Sequence, residues 1–125
     1  MVSFDFDDTL SRPDVQEYAS ELIERGLEVW VVTSRLSKQY LMEGNEKWND
    51  DLYEVSNRLG IPEERIRFMN YSPKVDFLET MNFLWHLDDD STELFDIKFA
   101  KIKTRPIQVN GSGWRGKCER ILQDR

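Results

Sequence analysis

The sequence is poor in the residues from which most small metal clusters and disulfide frameworks are built. Of 125 residues, one is cysteine, Cys118, and one is histidine, His86. A single cysteine makes no internal disulfide, and so few Cys and His side chains exclude a Cys/His metal cluster. A reducing, cytoplasmic setting is the expectation that follows. Four prolines and six glycines are too few for a low-complexity or collagen-like chain. No apolar run approaches the ~18 residues that span a membrane. The first residues, Met1-Val2-Ser3-Phe4-Asp5, show neither a basic nor a long apolar signal region. Neither secretion nor a membrane partner is expected.

What is present describes a globular chain. Hydrophobic residues make up 39% and charged residues 33%, a balance that supports a folded core. The length argues for one domain over residues 1–125, burying about 65% of its unfolded surface. The formal net charge is −7, but it is unevenly placed. Residues 1–96 hold 9 basic and 22 acidic side chains, and residues 97–125 hold 8 basic and 2 acidic. The overall sign argues against indiscriminate coating of nucleic acid. The basic end favours an anionic substrate, although Lys98, Lys101, Lys103 and Arg105 also read as a solvated edge strand.

Hydrophobic spacing gives an order of elements. Val2 to Phe6 reads as a buried strand. Pro13 opens a helix whose apolar face is Val15, Tyr18, Ala19, Leu22 and Ile23, with Gly26 to stop it. Leu27 to Val32 is a strand covered on both faces. Trp48, Leu52, Val55 and Leu59 recur at helical spacing before Gly60 and predict a core stripe. Ile66 to Met69 is a third strand, Ser72-Pro73 opens a further helix, and Phe83 to Leu87 is a fourth strand. Asp90, Ser91 or Thr92 caps a short helix through Phe95. Ile97 to Ile102 and Pro106 to Val109 read as extended, and Gly113 to Gln123 as a last helix with Cys118, Ile121 and Leu122 inward. Strand and helix alternate, so the expected fold class is α/β, a Rossmann-like three-layer sandwich with a mainly parallel sheet. Ligands of such sheets bind beyond the carboxyl ends of the strands.

Those ends carry chemistry. The first strand runs into Asp5-Phe6-Asp7-Asp8-Thr9, the second into Thr33-Ser34-Arg35, and the fourth into Asp88-Asp89-Asp90. Lys74 opens the helix after the third. Carboxylates gathered at one rim require a compensating cation. With oxygen ligands and no His/Cys cluster, that cation is Mg²⁺. A turn directly after Asp5 brings Asp5 and Asp7 to one site, where one carboxylate attacks as nucleophile and the other moves protons. Lys74 offers fixed positive charge and Thr33 a hydrogen bond to phosphoryl oxygens. Phosphoryl transfer needs mainly positioning and charge compensation, which this set supplies.

The run Asp5-Phe6-Asp7-Asp8-Thr9-Leu10 resembles the first motif of the haloacid dehalogenase-like superfamily, Asp-x-Asp-x-Thr after a strand. Thr33 resembles the second motif, Lys74 the third and Leu87-Asp88-Asp89 the fourth, in the same order across nearly the whole chain. The resemblance implies an aspartyl-phosphate phosphatase. In it Asp5 is the nucleophile, and Asp7 protonates the leaving oxygen and then activates water. Asp5, the Asp7 carbonyl and Asp88 hold Mg²⁺, with Asp89 acting directly or through water. A one-residue slip would make Asp89 and Asp90 the metal pair. A receiver domain uses similar residues, but there the lysine comes last; here it precedes the second acidic cluster.

The pieces between motifs are too short for a cap domain, so the site is expected to be open. Leu36 to Asn45 is the candidate substrate-facing loop. Ser34 and Arg35 join Thr33 and Lys74 as candidate substrate-binding residues. His86, on a strand just before the acids, reads as a satisfied core or rim histidine. The expected substrate is a phosphorylated small molecule, above all a nucleotide, or a phosphorylated nucleic-acid end. A sugar phosphate is the competing substrate. A non-catalytic metal- or phosphate-binding module with the same fold is the competing function.

Overall fold

Valine-rich and aromatic segments bounded by polar turns form five strands, β1 (Val2–Phe4), β2 (Val29–Thr33), β3 (Ile66–Phe68), β4 (Trp85–Asp88) and β5 (Arg105–Gln108). The computed structural model describes residues 1–124. All strand pairs are parallel, and the sheet order is β3-β2-β1-β4-β5. Between them lie helices α1 (Pro13–Glu24), α2 (Asp50–Leu59), α3 (Val75–Leu78) and α4 (Ser91–Ala100), and α5 (Trp114–Gln123) follows β5. This is the α/β parallel-sheet fold expected from the alternation, with no inserted cap domain among the described residues. No helix among them is long and apolar enough to cross a membrane.

The order has a functional consequence. From β1 the chain winds outward through β2 to β3, then returns to place β4 on the other side of β1. The winding direction therefore reverses between β1 and β4. A crevice opens at such a switch point, at the carboxyl ends of the strands. Asp5 follows β1 and Asp88 ends β4, so the two acids straddle it.

Two apolar clusters hold the layers together. Val2, Phe4, Val29, Val31, Trp85 and Leu87 pack one face of the sheet against α1, α2 and α5. Trp85 lies edge-on to Phe4 at 5.2 Å and stacks on Tyr18 at 6.3 Å. Each such aromatic contact adds ~0.5–1.5 kcal/mol beyond its burial. On the other face Val32, Leu78, Phe83, Leu94 and Ile97 form a smaller cluster under α3 and α4.

Several boundaries depart from the sequence reading. The first strand stops at Phe4, because Phe6 enters a turn. Trp48 lies before α2 and is 53% exposed, so Leu52 and Val55 carry the core stripe without it. Gly60 ends α2 with φ 83°, a conformation that costs glycine little. Ser72-Pro73 precedes α3 without capping it; α3 starts after Lys74.

The extended segment expected from Ile97 to Ile102 is instead the second half of α4, which runs to Ala100. Asp90 accepts N–H bonds from Thr92 (2.9 Å) and Glu93 (3.3 Å) and caps that helix, worth ~1 kcal/mol. Phe95 and Phe99 are exposed on α4, which removed the clean apolar face that marks a helix. Of the four basic residues read as one edge strand, only Arg105 lies on β5. In α5, Cys118 and Leu122 are buried and Ile121 is half-buried.

Candidate active site

The site begins where β1 ends. The Asp5 N–H donates to the Leu87 carbonyl at 2.9 Å, the last link between β1 and β4. The chain then makes a wide turn: Leu10 N–H donates to the Asp5 carbonyl (3.0 Å) and Ser11 N–H to the Phe6 carbonyl (2.9 Å). Inside it Asp7 is extended (φ −62°, ψ 129°) and Asp8 is left-handed (φ 57°). Aspartate is among the few non-glycine residues that accept that conformation. Phe6, Thr9 and Leu10 are buried, while Asp7 and Asp8 face solvent. The turn thus folds Asp5 and Thr9 inward and leaves Asp7 at the rim.

Lys74 is the centre of the buried part. Its side chain is 1% exposed, and Nζ donates to Asp5 Oδ1 at 2.8 Å and to Asp88 Oδ2 at 2.6 Å. His86 Nε2 lies 2.8 Å from Asp88 Oδ2, and His86 Nδ1 lies 2.8 Å from Ser3 Oγ. With a neutral ring, this network assigns the proton to Nε2, donating to Asp88, and lets Nδ1 accept from the Ser3 hydroxyl. The Asp90 N–H donates to Asp88 Oδ1 (3.0 Å), and the Lys74 N–H donates to Glu93 Oε2 (2.9 Å). Thr9 Oγ1 lies 3.5 Å from Asp5 Oδ2 and 3.4 Å from Asp89 Oδ1. Gln108 Nε2 donates to the Asp89 carbonyl at 3.2 Å, tying β5 to the same corner.

Electrostatics follow from this packing. Burial drives the Asp5 carboxyl well above the ordinary carboxylate range; Lys74 opposes the rise and Asp88 adds to it. At Asp88 burial also works upward, but the hydrogen bond from His86 and the charge of Lys74 win and hold it low. Burial works to lower Lys74, and Asp5 and Asp88 outweigh it, so the ammonium is retained. Complete burial pushes His86 down, consistent with a neutral ring. Carboxylate oxygens of Asp5, Asp88 and Asp89 lie within 4.8 Å of one another, an arrangement able to hold a metal ion.

The exposed part is a second network. Arg35 Nε and Nη2 donate to Asp7 at 3.0 and 2.7 Å. Nη1 and Nη2 donate to Asp51 at 2.7 and 3.0 Å, and Nη1 also reaches the Trp48 carbonyl at 3.3 Å. These five bonds use all five guanidinium donors. The Arg35 head also lies 5.0 Å over the Phe6 ring. Asp7, whose side chain is 57% exposed, is therefore held by a two-pronged clamp from the end of β2.

Each candidate residue from the sequence can now be located. Asp5, Lys74, Asp88 and Asp89 come together, and Asp90 turns away to cap α4. Asp7 does not join that group through its carboxylate, because Arg35 holds it. Thr33 is fully buried at the end of β2, and its Oγ1 accepts from the Arg35 N–H at 3.3 Å. Ser34 is half-buried beside it. Arg35, expected on substrate, is fully engaged with protein groups. His86 is a satisfied core histidine with both ring nitrogens bonded.

Sequence reading missed Thr9, Ser3, Glu93, Gln108 and Asp51 as partners. Ser3 and Thr9 left a trace, being polar positions within an apolar strand and its turn. Asp51, sixteen residues from Arg35, left none. Comparison with family models, curated proteins and solved structures found no match for this chain.

Proposed function

We propose that the chain is a Mg²⁺-dependent phosphohydrolase that cleaves phosphomonoesters through a phosphorylated Asp5, as in the haloacid dehalogenase-like superfamily it resembles. The observation that carries this reading is the buried Lys74 bridging Asp5 and Asp88 beside Asp89. One ammonium faces three clustered carboxylates, and burial, with the charge of Asp88 adding to it, raises the Asp5 carboxyl despite Lys74. An all-oxygen donor set of this kind suits a hard divalent cation. Asp5, Asp88 and Asp89 would hold it, and the chemistry it supplies is positive charge that keeps Asp5 ionised and offsets phosphoryl charge.

The residues divide the work. An Asp5 carboxylate oxygen attacks phosphorus while the bond from phosphorus to the ester oxygen breaks. The departing oxygen takes a proton from Asp7, which can give one only after its carboxyl turns out of the Arg35 clamp that binds both of its oxygens. Asp7, now ionised, takes a proton from water as the water oxygen bonds to phosphorus. The bond between phosphorus and Asp5 breaks, leaving inorganic phosphate and a restored carboxylate. Lys74 and Thr33 hold phosphoryl oxygens, and Arg35 positions Asp7. With no cap domain over the rim, a nucleotide or the phosphorylated end of a nucleic acid can reach it.

The test is phosphate release with Mg²⁺ from p-nitrophenyl phosphate, a nucleotide, a sugar phosphate and an end-phosphorylated oligonucleotide. Release is expected with Mg²⁺, and loss of at least about 10⁴-fold in Asp5→Asn. Beryllium fluoride with Mg²⁺, a mimic of the acyl phosphate, is expected to raise the melting temperature. A wild-type protein inert across that panel, or an active Asp5→Asn, overturns the reading.

A further inference from the structure

The rim beyond β2 and β3 carries features that phosphoryl chemistry alone does not require. Asn70 and Tyr71 are consecutive non-glycine residues with left-handed backbone, φ 53° and 66°. Asparagine tolerates this conformation, whereas tyrosine adopts it at a cost of about 1 kcal/mol. The turn is stitched to the residues that end and follow β2. Met69, Asn70 and Tyr71 N–H groups donate to the Thr33, Arg35 and Ser34 carbonyls at 2.7, 3.1 and 2.9 Å. The Asn70 side-chain oxygen accepts from the Ser37 N–H at 2.7 Å. This leaves Tyr71 70% exposed, three residues before Lys74, with its backbone bonded to Ser34.

Beside that turn runs a groove of about 560 Å³, walled by Tyr40, Arg67, Asn70, Ser72, Asp76 and Phe77. Tyr40 is 56% exposed and belongs to the polar loop that follows β2. The Arg67 guanidinium lies 5.0 Å from the Phe77 ring centroid, so it presents a flat face with donors at its edge. The groove thus combines planar surfaces with a hydroxyl, a guanidinium and a carboxylate. Its walls include Ser72, two residues before Lys74 in the chain, and Met69 and Asn70, whose N–H groups bond to the Thr33 and Arg35 carbonyls. A planar ring with donors and acceptors on its edge uses both features. An aliphatic phosphate leaves the Tyr40 and Tyr71 rings in water.

We propose that this groove seats the base of a nucleoside monophosphate, free or at the end of a strand, with its phosphate against Lys74 and Asp5. The inference rests on the phosphohydrolase reading for its chemistry. Tyr40 stacks on the base, Tyr71 flanks the sugar side, and Arg67 and Asp76 meet the ring edge. The groove is a specificity element, separate from the groups that act on phosphorus.

The experiment compares kcat/KM for adenosine monophosphate, an end-phosphorylated trinucleotide and glycerol phosphate. Wild type should prefer the two nucleotide probes. Tyr40→Ala should lower the ratio of adenosine monophosphate to glycerol phosphate about tenfold, the size of one lost base stack, mainly through KM. Tyr40→Phe should keep the ratio. A higher value on the trinucleotide assigns the base to a strand end, and a higher value on the mononucleotide assigns it to free nucleotide. In parallel, adenosine lacking phosphate is titrated into Asp5→Asn protein and followed by NMR at Tyr40 and Phe77. A wild type that hydrolyses glycerol phosphate as well as the nucleotides, with a ratio unmoved by Tyr40→Ala, overturns the groove and leaves the phosphohydrolase reading standing. Should no probe be hydrolysed, the phosphohydrolase reading fails. The groove then stands on shifts at Tyr40 and Phe77, and falls if adenosine moves neither.

Discussion

Along β1 and β4 the two faces of the sheet are made from alternate residues, and at these strands they are chemically opposite. Val2 and Phe4 of β1 and Trp85 and Leu87 of β4 pack into the larger apolar cluster. The intervening Ser3, His86 and Asp88, with Asp5 next in line, are equally buried. In a central strand, solvent cannot account for polar residues at every second position. They are tolerated because each finds another: Ser3 meets His86, His86 meets Asp88, and Lys74 joins Asp88 to Asp5. The apolar face supplies stability without direction. The polar face supplies direction at a cost, because its bonds are strong only while every member is present.

The sharpest break of that comparison is Lys74→Met, which leaves Asp5 and Asp88 buried without their cation. Turnover is expected to fall about 10³-fold and stability by ~3–5 kcal/mol, read by urea denaturation. Because burial raises Asp5, lowering the pH protonates it and softens the stability loss. A loss under ~1 kcal/mol at pH 7 contradicts the role given to the polar face. On the apolar side, Leu22→Ala removes a fully buried side chain of α1. It should cost ~2–5 kcal/mol while kcat, measured where the variant is folded, stays at the wild-type value. A matching loss of kcat would mean the faces are coupled.

The smallest effect is expected at the outer layer. Glu119 accepts from the Tyr18 hydroxyl at 2.7 Å and from Arg25 Nη1 at 2.9 Å, clamping α1 to α5. Burial works to raise Glu119, but these two partners outweigh it and hold the carboxyl below its ordinary value of 4.5. A depressed folded-state pKa gives stability that is present above the unfolded value and lost as pH falls through the folded one. Glu119→Gln should therefore cost less than ~1 kcal/mol at pH 7. Its cost should fade as the pH falls through the depressed folded-state value in parallel acid melts. A cost that is independent of pH would assign the effect to shape and not to charge.

Central elements were legible in the sequence for a physical reason. β1, β2 and β4 are covered on both faces, so burial dominates their composition. The acids at their ends stood out because an apolar run breaks into carboxylates there, Asp5 after Phe4 and Asp88 after Leu87. α4 was misread past Phe95, because Phe95 and Phe99 are exposed on a helix whose buried residues are only Leu94 and Ile97. Trp48 misled in the same way, as a large apolar residue in solvent. The Arg35 clamp was illegible, since a guanidinium shared by Asp7 and Asp51 depends on where a long loop returns. Asp90 could be separated from Asp88 and Asp89 only by geometry, as three consecutive identical residues carry no register of their own.

One consequence of the turn after Asp5 remains. Its bonds close over one residue more than a standard helical turn, and each helical residue advances the chain about 100°. Deleting or adding a single position between Asp5 and Leu10 would spin α1 away from its seat while Asp5 stayed where β1 leaves it. Phe6 is constrained by its burial and Asp8 by its left-handed backbone, and the number of residues is constrained more tightly still. The segment is a spacer of fixed count, and its length is under stricter control than its composition.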